Sequence, residues 1–158
     1  MDLAWWVTWS IPPTGTNVEG VPVRALNQNW RRVSLIRTAD LPAASRQAGE
    51  RPEDHDAVFS VDIDLDGDAH DERAVVGVYE TVSGEIGRLL LILGRVSAEK
   101  PWTKKAVFSL KDAEPFSAIV VQQGDNVATL WADLKDRVKI YLRSRSVARA
   151  TLRMFLSP

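Results

Sequence analysis

The chain of 158 residues has no cysteine. That excludes a disulfide framework, a thiol nucleophile and cysteine-ligated zinc or iron–sulfur centres. Histidine is nearly as scarce: only His55 and His70 are present, too few for a three-histidine metal centre. Long apolar runs are missing as well. A run as long as any, Leu89 to Leu93, is flanked by Arg88 and Arg95 and falls far short of the roughly 18–20 residues that cross a bilayer as a helix, so no membrane span is expected. Met1-Asp2-Leu3-Ala4-Trp5-Trp6-Val7 lacks the basic start and small-residue cleavage site of a signal peptide. No Gly-x-Ser-x-Gly elbow, phosphate loop or His-Glu-x-x-His helix occurs. His55, between Asp54 and Asp56 in a polar stretch, reads as a surface residue rather than a general base, and no catalytic residue is nominated.

The remaining composition is that of a folded domain, with 45% hydrophobic and 26% charged residues. Net charge is -1, so the whole-chain balance gives no reason to expect nucleic acid as a partner. That balance conceals a division. Residues 1–80 carry 14 acidic and 7 basic side chains, whereas residues 81–158 carry 7 and 13. Six tryptophans are the unusual enrichment.

Apolar alternation with period two recurs along the chain and predicts strands. Trp5, Val7, Trp9 and Ile11 fall on one face of a first strand, with Trp6 opposite, up to a turn at Pro12-Pro13-Thr14-Gly15. Val18 to Val23 suits an edge piece, since Pro22 cannot donate to a central ladder. Leu26, Trp30 and Val33 have helical spacing and predict one short helix. A long polar loop follows at about residues 38–56. Ala57 to Leu65 alternates most clearly, and Ala74 to Tyr79 follows, ending at the turn signal Val82-Ser83-Gly84-Glu85. Ile86 to Val96 is apolar on both faces and suits a central strand. Trp102, Lys104, Ala106 and Phe108 begin another alternating run, and Phe116 to Val121 a further one. Residues 127–142 fit either a helical stripe or strands, with strands favoured through the end of the chain. These elements predict one all-β domain over residues 1–158, of about eight or nine strands with one short helix. Its sheets would form an antiparallel barrel, a sandwich or a propeller-like stack.

The informative segment is the acidic loop after the clearest strand. Seven of the eleven residues from Asp62 to Glu72 are carboxylates or glycine, a concentration that is unfavourable without a counter-ion. A hard cation resolves it, since calcium takes six to eight oxygen ligands and alternate positions of a tight loop can supply them. Counting from Asp64, the alternate positions are Asp64, Asp66, Asp68, His70 through its carbonyl oxygen, and Glu72. Gly67 permits the sharp turn between them. An EF-hand frame counted from Asp62 fails at its last ligand position, where Arg73 stands in place of glutamate. Magnesium suits such a cage less well, because it keeps its waters. A solvated acidic hairpin without metal is the alternative.

Asp64-Leu65-Asp66-Gly67-Asp68-Ala69-His70-Asp71-Glu72, followed at once by an apolar strand, resembles the calcium loop of FG-GAP or VCBS-type repeats. The resemblance covers about Phe59 to Tyr79. It implies an aspartate-rich loop joining two antiparallel strands and binding calcium. Those families carry several copies and a second glycine, where this chain has one copy and Ala69.

The tryptophans serve either as core filling, the favoured reading, or as a stacking platform for glycans or a protein partner. The basic C-terminal row from Lys135 to Arg153 reads as a solvated face or a patch for an acidic partner. These readings converge on a calcium-binding, non-enzymatic protein with a protein partner. A periplasmic or secreted setting, where calcium is abundant, suits it, and a protein inhibitor or immunity protein against a cell-wall hydrolase or toxin suits its size. A carbohydrate-binding module and a hydrolase with an unrecognised site are the alternatives.

Overall fold

The computed structural model describes residues 5–111, 117–122, 127–131, 139–140 and 154–155. It is all-β, and every strand pairing is antiparallel. The elements in order are α1 (Trp5–Thr8), β1 (Asn17–Val18), β2 (Val21–Pro22), α2 (Val23–Leu26) and β3 (Trp30–Leu35). Three 3-10 turns precede β4 (Ala57–Val58) and β5 (Ser60–Ile63). Then come β6 (Glu72–Thr81), β7 (Ile86–Gly94), β8 (Thr103–Leu110), β9 (Ala118–Gln122), β10 (Val127–Trp131), β11 (Lys139–Ile140) and β12 (Met154–Phe155).

The main sheet has the order β3-β6-β7-β8, with β5 also on β6. β6 pairs β3 through residues 77–81 and β5 through residues 72–75. Both partners run antiparallel to it, so β3 and β5 lie end to end along one edge as a single interrupted strand. The join is closed by Ile36 N–H donating to Val76 C=O and Val76 N–H donating to Phe59 C=O. Residues 37–58 are therefore an excursion from that edge. The excursion carries the 3-10 turns and β4, and β4 joins a second sheet ordered β10-β9-β4. The expected polar loop at 38–56 falls inside it.

Both faces of β6 and β7 are buried, as the continuous apolar run in β7 predicts. One face holds Ala74, Val76, Leu90 and Ile92, covered by Trp5, Ile36, Leu41, Phe59, Ala118 and Ile119. The opposite face holds Val75, Tyr79, Leu89, Leu91 and Leu93, covered by Val18, Val21, Val23, Leu26 and Trp30. Each fully buried leucine here contributes about 1.5–3 kcal/mol.

Three expectations are corrected. The first strand is not formed: Trp5–Thr8 is one helical turn, with Trp9 N–H donating to Trp5 C=O at 3.0 Å. The turn gathers three indoles that a strand would separate. Trp6 and Trp9 both lie edge-on to Trp5, with centroids 5.7 and 5.8 Å away. The predicted helix over Leu26, Trp30 and Val33 is also displaced. Helix α2 ends at Leu26, where Asn27 turns extended and its side chain accepts from Asn29 N–H. Trp30 then enters β3 and stacks on Tyr79 at 4.2 Å between centroids.

The third correction concerns β8. Strict alternation puts Trp102, Lys104, Ala106 and Phe108 on one face, but Ile92 pairs Ala106 while Leu93 pairs Lys104. Lys105 is thus an extra, bulged residue. The bulge reverses the phase: Ala106 and Phe108 join the first core and Trp102 the second.

The edge hairpin at Val18–Val23 forms as β1 and β2, closed by Glu19 and Gly20, both at positive φ. Within residues 127–142 the described parts, β10 and β11, are strands. Most of the basic C-terminal row lies outside the described residues.

Candidate metal centre

The acidic loop is the connection of the β5–β6 hairpin, residues 64–71. Its shape is set by carboxylates capping backbone N–H groups that a tight loop cannot pair in a ladder. Asp64 accepts from Gly67 N–H at 2.7 Å on one oxygen and from Ala69 N–H at 3.0 Å on the other. Asp66 accepts from Asp68 N–H at 3.2 Å, and Asp68 from His70 N–H at 2.8 Å. Gly67 and Ala69 both lie in the left-handed region, at φ +78° and +68°. Glu72, the first residue of β6, closes the loop by accepting from Leu65 N–H at 2.8 Å.

Of the five residues nominated from sequence, three converge. Carboxylate oxygens of Asp64, Asp66 and Glu72 all lie within 4.8 Å of one another, a group that could hold a metal ion. Glu72 is the buried member, with only 3% of its side chain exposed. Asp68 and His70 are exposed, and the Asp68 carboxylate is turned toward the His70 amide rather than into the group.

The structure also supplies a residue that spacing could not reveal. Lys105 Nζ donates to Asp66 Oδ2 at 2.8 Å and to Glu72 Oε1 at 2.5 Å. These two hydrogen bonds hold the Lys105 ammonium well above the usual lysine range, and the same contact draws the Asp66 carboxyl below the carboxylate range. The expectation that the loop needs an external counter-ion is corrected to this extent: one cation is already in place, delivered by β8.

A second cation serves the opposite face of the hairpin. Arg73 forms a two-pronged pair with Asp62 at 2.7 and 2.8 Å, which lowers the Asp62 pKa, and lies 3.6 Å from Glu19. Its guanidinium also lies 4.7 Å from the Trp102 ring centroid, with Arg95 at 4.2 Å. Asp62 is thereby removed from the loop's ligand set, in keeping with the failed EF-hand frame.

Trp5 and Trp30 are buried, and Trp6, Trp9 and Trp102 are half-buried, so none of these five indoles offers a fully exposed stacking face. A cleft of about 370 Å³ opens at the root of the 37–58 excursion, between Ile36 and Phe59, with Arg37 and Glu53 its charged lining residues. It brings together no acid–base pair or metal-ligating group. Among the described residues no helix is long and apolar enough to cross a membrane.

Comparison of the chain with protein-family models, curated proteins and solved structures gave no match.

Proposed function

We propose that the loop from Asp64 to Glu72 binds calcium and that the ion stabilises the fold of a binding protein rather than serving catalysis. The observation that carries this reading is the convergence of Asp64, Asp66 and Glu72, including the buried Glu72. Three carboxylates provide the hard oxygen donors calcium prefers, and the Asp68 carboxylate and His70 carbonyl are close enough in sequence to complete a shell of six or more. Both oxygens of Asp64 and one of Glu72 accept from loop amides, which fixes the orientation of these carboxylates as ligands require. Calcium is abundant outside the cytosol, so a periplasmic or secreted setting suits a site of ordinary affinity. In that setting a protein partner, in the manner of an inhibitor or immunity protein, suits a domain of this size.

Thermal melting with calcium chloride and with chelator tests the metal. At calcium a hundredfold above Kd, mass action adds about 2.7 kcal/mol, which for a domain of this size is a rise of about 5–10 °C in Tm. Asp64→Asn removes a ligand without touching the Lys105 pairs and abolishes the rise. An unchanged Tm in the unsubstituted protein, with no metal by elemental analysis, rejects calcium.

A further inference from the structure

Lys105 reaches the carboxylates by a built route. It stands on β8, two strands away from Glu72, with β7 between. The bulge places it out of register, which re-aims the side chain along the sheet. Its aliphatic chain then crosses the backbone of β7 at Gly94. A methyl group at Gly94 would collide with Lys105 Cε and would stand only 2.9 Å from Cδ and 3.1 Å from Cγ. Gly94 has ordinary φ, so its missing side chain is required by this crossing rather than by a turn. A bulge, a glycine and a buried acceptor thus combine to deliver one ammonium group between two strands. The lysine side chain remains 40% exposed, with water available as an alternative environment for the charge.

We infer that Lys105 is an exchangeable internal cation: a latch that holds the 64–72 loop on β8 when no metal is present and is expelled when a divalent ion enters. The expulsion rests on the calcium reading above; the latch does not. Lys105 occupies Asp66 Oδ2 and Glu72 Oε1 while the other oxygen of each accepts from a backbone N–H, so an entering divalent ion competes for the same oxygens and its charge repels the ammonium. Metal entry therefore frees the lysine from β6, converting an occupied loop into a change at the edge strand β8. The apparent calcium affinity is lowered by the population of the latched state.

Hydrogen exchange at the amides of Leu65, Gly67, Ala69 and His70, in the full chain with chelator, tests the latch. Lys105→Met removes the ammonium. Gly94→Ala displaces the lysine stem without altering any charge. Both variants are expected to lose at least about tenfold in protection at these amides with chelator, and to bind calcium at least about tenfold more tightly than the unsubstituted protein. Unchanged protection in both variants overturns the latch. Lost protection with unchanged calcium affinity overturns the exchange. Lost protection in proteins that bind no calcium establishes the latch while rejecting the calcium reading and the exchange together.

Discussion

At the scale of single residues, the loop carries one avoidable conformational cost. Ala69 sits at φ +68°, where an L-residue with a Cβ is disfavoured by about 1–2 kcal/mol. Glycine removes that penalty but adds unfolded-state entropy of about 0.5–1 kcal/mol. Ala69→Gly is therefore expected to stabilise by up to about 1.5 kcal/mol, read as a higher urea midpoint with unchanged slope. A lower midpoint would show that the methyl group makes a contact worth more than the strain. The Asp64, Asp66 and Glu72 group was legible because its spacing is local. Lys105 was not legible, lying 33 residues beyond Glu72 and reaching it only through a strand irregularity. Alternation alone cannot place such a residue, since a bulge reverses its phase.

At the scale of elements, β6 is the rail on which the molecule is built, with β7 along one edge and the interrupted strand β3–β5 along the other. Gly77 lies just after the interruption along β6 and pairs Leu35. A methyl group there would collide with the Ser34 carbonyl oxygen and lie 3.1 Å from Leu35 Cα. These are backbone atoms that cannot rotate away. Gly77→Ala should force β3 from β6 and cost about 1–3 kcal/mol, a lowered Tm with exchange protection lost first in Trp30–Leu35. Equal loss across the sheet would place the strain elsewhere. The central strands were readable because β6 and β7 are long and apolar on both faces. The two short segments misread near the N-terminus share a different property: Trp5, Trp6 and Trp9, like Leu26, Trp30 and Val33, have spacings that fit more than one local geometry, and tertiary contacts decide between them. Tyr79 supplies the platform that draws Trp30 into a strand. A bulge recurs in β3 at Arg31, which the register skips between Trp30 and Arg32 and whose side chain pairs Glu80 at 2.6 Å. In both bulges a basic residue is turned toward a carboxylate on β6.

At the scale of the whole molecule, the near-neutral net charge is the sum of two opposed halves, and Lys105 is where they meet: a cation from the basic half seated on two carboxylates of the acidic half. The cores are joined just as closely. Successive residues of one strand serve opposite faces, so Leu90 lies in the first core and Leu91 in the second. Neither face can open without disturbing the same β6–β7 backbone ladder. The expected consequence is one cooperative unfolding transition spanning both cores. Leu90→Ala and Leu91→Ala should each cost about 2–5 kcal/mol. Either one should lower the exchange protection of the slowest β6 and β7 amides by the same amount, whichever face it empties, because those amides open only with the whole sheet. Protection lost only near the substituted face would instead mean that the two cores are separate cooperative units. The shared ladder also fixes how far a bound ion can act. Glu72 begins β6, so an ion that orders its carboxylate adds stability to the strand on which both cores depend, and the protection gained from calcium should extend to the slowest amides of Val75 and Val76 as well as to the loop.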